Sequence, residues 1–371
     1  MPEHAGPPMA GEVFIIAEGG VNHNGDVGLA HRLVDAAADA GADAIKFQTF
    51  VATSVVTPEA PLAEYQQRAR SGSQLAMIAA LELPFDAHAE LRAHAEERGI
   101  EFMSTAFDDA SLTFLVEEVG IARVKIPSGE LTNTPFVMRC ARTGLPLLLS
   151  TGMATMAEVV FACQAIAFAV SSDAEPASRD DLIGSILDPA RARLLQDLLT
   201  VLQCTTSYPA PVESANLLAM TAMREVLGVP VGYSDHTLGP VTALAATALG
   251  ATVLEKHLTL DRTLTGPDHL ASTEPEAFAE MVAQVRQVSR ALGDGIKAPT
   301  AAEIPNIAIA RRNLVASRPI DAGHVLTPDD IVALRHGTGP APDAYWALLG
   351  TTTTRALAPF EPFDEPTGYS A

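Results

Sequence analysis

Residues 231–257 read VGYSDHTLGPVTALAATALGATVLEKH. The two ends, 231–234 and 252–255, are short runs of strand-forming character, and each is followed within two residues by a histidine. Between them, residues 241–249 are rich in Ala and Leu and predict a helix. Strand, helix, strand is a βαβ unit, with His236 and His257 just past its strand ends. In parallel α/β architectures, adjacent strand ends form one wall of the active site. Two neutral imidazoles on that wall suit a divalent metal; the bland alternative is two unrelated polar residues at loop starts.

The same period extends towards both termini. Residues 13–17 (VFIIA) form a continuous apolar run suited to a strand buried on both faces, and Glu18 and the turn-rich Asn22–Gly25 follow it. A helix over 29–40 closes at Gly41, and 44–48 is the next strand. Helix and strand then alternate: 86–98 with 101–104, 111–119 with 123–126, 135–142 with 147–150, and 156–170 with 199–203. A helix over 220–227 leads into the opening unit, and one over 275–292 ends the series. Eight strands alternating with eight helices, most of them followed by glycine, predict a (β/α)₈ TIM barrel rather than an open sheet. Two segments exceed the minimal pattern: a long loop with an extra helix at 51–83, and a mixed-charge insertion at 171–196. The expected division is a barrel over 1–292, a linker at 293–305 and a small, mostly β domain over 306–371. A domain of that size is near the lower limit for independent stability and is expected to dock on another surface.

The chain has 371 residues, 48% of them hydrophobic, enough for a large core. Its net charge of −21 argues against a nucleic-acid backbone or an anionic membrane as partner. It does not exclude a small anionic substrate, because a few local cations can reverse the field inside a cleft. Cys140, Cys163 and Cys204 are odd in number and lack metal-type spacing, so free thiols in a reducing cytoplasm are expected. The N-terminus shows no signal peptide, and the uncharged stretch 237–254 is broken by Gly239, Pro240 and Gly250, unlike a membrane span.

In a barrel of this type the chemistry sits at the carboxyl ends of the strands. Those ends carry Glu18; Lys46 and Gln48; Ser104 and Thr105; Lys125, Ser128 and Glu130; Ser150 and Thr151; Thr205, Thr206 and Tyr208; Ser234 and His236; Glu255 and His257. Polar residues at every strand end favour an enzyme over a scaffold. Lys46 and Lys125 lie in otherwise apolar strands, where burial is costly unless an anion is met. With Ser104, Thr105, Ser128 and the backbone at Gly129 they outline a phosphate or carboxylate site. The alternative is a structural ion pair of each lysine with Glu18 or Glu130. These two glutamates are open to three roles: metal ligand, general base or lysine partner. Glu255 lies two residues before His257 and so points to the same side of its strand. Asp268 lies in the turn-like GPDH of 266–269.

These residues bring out a resemblance. FIIAEGGVNHNG, GADAIKFQTF, IEFMSTAFD, VKIPSGELTN, LLLSTGMAT, QCTTSYPAP, VGYSDHTLG, LEKHLTLDR and TGPDHLAS, with IARRNLVASRPIDAG and LTPDDIVALRHGTG in the tail, are similar in order to the sialic acid (N-acetylneuraminate) synthase family. The resemblance covers nearly the whole chain. It implies a TIM barrel followed by an antifreeze-like (SAF) domain, in a domain-swapped homodimer whose SAF domains cap the partner barrels. It implies condensation of phosphoenolpyruvate with N-acetylmannosamine and water, dependent on Mn2+ or Mg2+, to give a nine-carbon 2-keto acid and phosphate.

By resemblance, His236 and His257 are the metal ligands. Lys46, Thr105, Lys125 and Ser128, aided by Ser234, hold the phosphate and carboxylate of phosphoenolpyruvate. Glu130 lies beside the carbon that takes up water, and Glu18 near the metal-bound water or the substrate. Gln48, Thr206, Tyr208 and Asp268 contact the sugar, and Arg335 of the partner's SAF domain reaches its N-acetyl group. Ala106, Thr265 and His336 stand where proline is common in the family. The readings set beside this one are a legionaminate or pseudaminate synthase using a diacetamido trideoxyhexose, a non-catalytic sugar- or carboxylate-binding protein, and an aldolase with a Schiff-base lysine.

Overall fold

The computed structural model describes residues 12–60 and 73–366; the N-terminal reading, part of the 51–83 loop and the last five residues of the predicted small domain lie outside the described residues. Eight parallel strands close on themselves: β1 Phe14–Gly20, β2 Ala44–Thr49, β3 Glu101–Ala106, β4 Val124–Ile126, β5 Leu147–Ser150, β6 Leu199–Cys204, β7 Val231–Asp235 and β8 Val253–His257. They pair in chain order, and β1 pairs with β8 from Phe14–Val253 to Glu18–His257. The predicted (β/α)₈ barrel is therefore the observed one.

Two cores build it. Between strands and helices lies a large apolar layer that includes Ile15, Ile45, Phe47, Leu149 and Tyr233, all 1% exposed or less. Inside the barrel a second, smaller cluster holds Ile16, Ala44, Met103, Leu148, Leu202 and Val253. Strand side chains alternate between faces, so these residues plug the interior while their neighbours face the helices. Gly232 belongs to this layer: a Cβ there would lie 2.5 Å from the Val253 carbonyl and 2.6 Å from Leu202 Cδ2.

The helices follow their caps. Val27–Asp39 starts at Asp26, whose carboxylate accepts from Leu29 N, and Met156–Ala169 starts with a Thr155–Glu158 capping box. The helix expected over 111–119 divides into an α segment, Asp109–Phe114, and a π-turn, Leu115–Val119, before the left-handed Gly120. The 51–83 segment holds the helices Ala52–Val55 and Gln74–Ala79. The 171–196 insertion forms two 3₁₀ turns and runs into the helix Pro189–Leu198, and it buries Leu182 and Leu195 rather than being wholly solvated.

The chain divides into two compact units between Gly293 and Asp294. In the second, β9 Asn313–Ala316 pairs antiparallel with β10 Ile331–Leu334 over a core that includes Leu314, Leu326, Leu348 and Phe363. Within the segment expected as a linker, a helix, Ile304–Ala310, begins before residue 305. The three cysteines are free and buried. Among the described residues, no helix is long and apolar enough to cross a membrane.

Candidate active site

The site is the next layer above the apolar plug. Two residues beyond Ile16, Ala44, Met103, Leu148, Leu202 and Val253 come Glu18, Lys46, Thr105, Ser150, Cys204 and Glu255, all lining one cavity of about 310 Å³. The two-residue period of each strand puts them on the same inner face.

Four charges form the floor. Lys46 Nζ lies 2.5 Å from Glu18 Oε2 and 3.6 Å from Glu255 Oε2, and donates to Thr105 Oγ1 at 2.8 Å. Lys125 Nζ donates to Glu255 Oε1 at 3.1 Å, and Ser234 Oγ donates to the same oxygen at 2.8 Å. Two ammonium groups and two carboxylates thus cancel inside a buried cluster, as burial requires. Burial raises Glu18 to about 7, with Lys46 opposing and Glu255 adding to the rise. Burial also works against ionisation of Glu255, yet Lys125 and Lys46 outweigh it and hold that carboxyl well below its usual range. For Lys46, burial is outweighed by Glu18 and Glu255, so the amine stays charged. A Schiff-base lysine needs the reverse, a depressed pKa, so the setting of Lys46 favours an anion site over the aldolase reading.

Gly20 explains how two more groups meet Glu18. Its φ is +50°, and a Cβ there would lie 3.2 Å from Glu18 Oε1, 3.4 Å from Gln48 Nε2 and 3.6 Å from Asp268 Oδ2. A strand irregularity between Glu18 and Gly20 turns the chain at this point. Burial pushes Asp268 up to about 6, with His236 opposing.

The histidines lie across the cavity with ring centroids 5.4 Å apart. His236 Nδ1 donates to the Thr205 carbonyl at 2.7 Å and has Cys204 Sγ at 3.8 Å; burial works against its protonation, but Cys204 and the Thr205 carbonyl outweigh burial and raise its pKa above the usual histidine value. His257 Nδ1 is buried without a hydrogen-bond partner among the described residues. Burial, then His236, lower the pKa of His257 well below its usual value, so the ring is neutral. A neutral His257 with an unused nitrogen, beside a His236 that gives up its proton on binding, fits a metal. Among the described residues no three His, Cys, Asp or Glu side chains are grouped to hold an ion, so the donors on offer here are these two histidines. The Tyr208 ring packs on His236 at 4.2 Å and edge-on to His257 at 5.7 Å.

On the other side, Ser128 Oγ accepts from Gly152 N at 2.9 Å. A Cβ on Gly152 would fall 2.1 Å from Thr206 Oγ1, so glycine lets the loops after β4, β5 and β6 meet. Part of the wall is apolar, with Phe50, Val55, Met77, Ile78 and Phe107.

The structure thus brings together Glu18, Lys46, Gln48, Thr105, Lys125, Ser128, Thr206, Tyr208, Ser234, His236, His257 and Asp268. It does not bring Glu130 to them. Glu130 sits on a 3₁₀ turn after β4 and accepts from Asn133 Nδ2 at 2.6 Å; Ser128 and Gly129 of the same turn line the cavity, and Glu130 does not. The pairing of Lys125 with Glu18 or Glu130 is likewise corrected: its partner is Glu255. Arg335 is exposed just past β10, in the second unit. Glu255 and Ser150 were read at strand ends but given no role, and Cys204 was read only as a free thiol, although the two-residue period places each above an apolar plug residue.

Comparison with known proteins identifies the family. The NeuB family pattern matches residues 33–297, and the SAF domain pattern residues 311–364. The chain is 42% identical over 347 residues to an N,N'-diacetyllegionaminic acid synthase of Legionella pneumophila, covering 93% of this chain and 91% of that one. It is 41% identical to the enzyme so named in Campylobacter jejuni, covering 93% and 96%. The crystal structure of N-acetylneuraminic acid (sialic acid) synthetase from Leptospira borgpetersenii with citrate superimposes with a TM-score of 0.63 at 31% identity, over 80% of this chain and 90% of that one. With the family pattern covering most of the barrel unit and the SAF pattern lying in the second unit, the chain belongs to the NeuB family of phosphoenolpyruvate-condensing nonulosonic acid synthases.

Proposed function

We propose that the chain condenses phosphoenolpyruvate with 2,4-diacetamido-2,4,6-trideoxymannose and water to give N,N'-diacetyllegionaminic acid and phosphate. The observation that carries this choice is the match of 41–42% identity, over 93% of the chain, to two relatives named for that product. It replaces the expectation of N-acetylmannosamine as acceptor. The apolar wall at Phe50, Met77 and Ile78 supports the change. A 6-deoxy sugar presents a methyl group where N-acetylmannosamine carries a hydroxyl, and burying an unpaired hydroxyl costs about 1–3 kcal/mol.

The reaction joins C3 of phosphoenolpyruvate to the aldehyde carbon of the open-chain sugar. Water adds at C2, and the C2–O bond to phosphate breaks. In this reading Lys46, Lys125, Thr105 and Ser128 hold the phosphate and carboxylate. Binding an anion there means exchanging it for a carboxylate, and Glu18 is the one to yield, because its raised pKa lets it take a proton near neutrality. Glu18, once protonated, gives its proton to the aldehyde oxygen as C3 attacks, and the carboxylate so formed takes the proton of the adding water, a role that resemblance places in the neighbourhood of Glu130. Gln48, Thr206, Tyr208 and Asp268 orient the acceptor. A divalent metal, Mn2+ or Mg2+, when held by His236 and His257, supplies Lewis acidity to the sugar aldehyde. The proposal includes a homodimer in which Arg335 of a second copy reaches an acyl group of the acceptor.

The test is phosphate release from phosphoenolpyruvate with Mn2+ and the diacetamido sugar. Release is expected to stop with chelator and to fall at least about a hundredfold in folded His236→Ala. Unchanged turnover in that variant would remove the metal assignment; no release from folded wild type with any N-acyl amino sugar would favour a binding protein.

A further inference from the structure

Beneath His236 and His257 lies a buried ion pair that touches neither ring's proposed chemistry. Lys256 Nζ donates to Asp235 Oδ2 at 2.7 Å and to the Thr237 carbonyl at 2.8 Å. Thr242 Oγ1 donates to the same Asp235 oxygen at 3.0 Å. Thr237 N and Oγ1 donate to Asp235 Oδ1 at 2.9 and 2.8 Å. Asp235 and Lys256 are 1% and 2% exposed.

Three features single this cluster out. Each member of the pair immediately precedes a histidine, and Thr237 immediately follows one, so His236 is bracketed on both sides. Asp235 and Lys256 are also the last rung of the β7–β8 ladder, after Tyr233–Leu254 and Ser234–Glu255. Past that rung no strand pairing ties His236 to His257; the backbone of His236 is held instead by Ala210, whose N–H donates to its carbonyl at 2.9 Å. Finally, a fully buried ion pair gives little net stability, and a well-packed apolar replacement is often neutral or better. Stability alone does not account for a charged pair at this place.

We propose that the Asp235–Lys256 pair, with Thr237 and Thr242, is the positioning element that fixes the separation of the two histidines for one metal ion. Ligand nitrogens must sit about 2.0–2.2 Å from a shared ion, a narrow tolerance for two rings on different strands. The pair acts through the strands that carry the rings. This inference rests on the metal reading of His236 and His257.

The experiment measures free Mn2+ by electron paramagnetic resonance in titrations of the full-length protein with phosphoenolpyruvate present. The variants are the double Asp235→Asn/Lys256→Met and the milder Thr242→Val, which leaves no charge unpaired. The double variant is expected to keep its melting temperature within a few degrees and its metal-free affinity for phosphoenolpyruvate within about twofold. Its Mn2+ affinity is expected to drop about 10–100-fold, and Thr242→Val by a smaller factor in the same direction. A folded double variant that binds Mn2+ like wild type overturns the inference; if the double variant does not fold, wild-type Mn2+ affinity in Thr242→Val does so. His236→Ala is the control: if it too binds Mn2+ like wild type, the metal reading itself has failed.

Discussion

Glu18 holds Lys46 in the position that an incoming phosphate is proposed to take, and its proton decides how firmly. Burial raises its pKa to about 7. Above that pH the carboxylate is ionised and competes for Lys46; below it the group is neutral and lets the lysine go. Metal-free binding of phosphoenolpyruvate is therefore expected to tighten as pH falls from about 8.5 to 7, by up to about tenfold per unit. Calorimetry should show Glu18→Gln binding tightly and evenly across that window; a wild-type slope of zero would remove this role. Glu130 and Glu255 show where residue-level reading reached its end. Both were visible as carboxylates near strand ends. Which one faces Lys125 depends on barrel closure, a non-local fact, although the shared face of Glu255 and His257 was legible from strand alternation.

At the scale of elements, β7 carries both structure and site. Gly232 keeps the plug closed because a Cβ would enter the Val253 carbonyl and Leu202. Gly232→Ala is expected to cost about 1–3 kcal/mol and to lower the melting temperature, and because Ser234 and His236 follow on the same face it is expected to weaken activity too. A thermal melt beside a phosphate-release assay checks both; an unchanged melting temperature would contradict the packing. The strands were readable because parallel strands buried on both faces are continuous apolar runs. Their ends were less so. β1 runs on through Glu18 to Gly20 and β8 to His257, past the charged residues that mark a boundary in sequence. Those residues stay in the strands because the barrel mouth pairs their charges with one another. The division of the 111–119 helix into α and π turns had no sequence signal, since its apolar spacing serves either.

For the whole molecule, a net charge of −21 surrounds a cavity that draws two lysines inward. The acidic exterior suits solubility, and the site is proposed to take anionic phosphoenolpyruvate through those local lysines. The chain divides into two units after Gly293, and the SAF pattern over 311–364 lies within the second. The family was legible from motif order; the acceptor was not, because the wall proposed to select it is built from loops rather than from strand ends. The central claim is therefore tested most directly by one competition. Phosphoenolpyruvate and Mn2+ are supplied with equal amounts of 2,4-diacetamido-2,4,6-trideoxymannose and N-acetylmannosamine, and the nine-carbon products are counted by mass spectrometry. The account predicts that N,N'-diacetyllegionaminic acid exceeds N-acetylneuraminic acid by at least about tenfold, with one phosphate released per product. An excess of N-acetylneuraminic acid would contradict it.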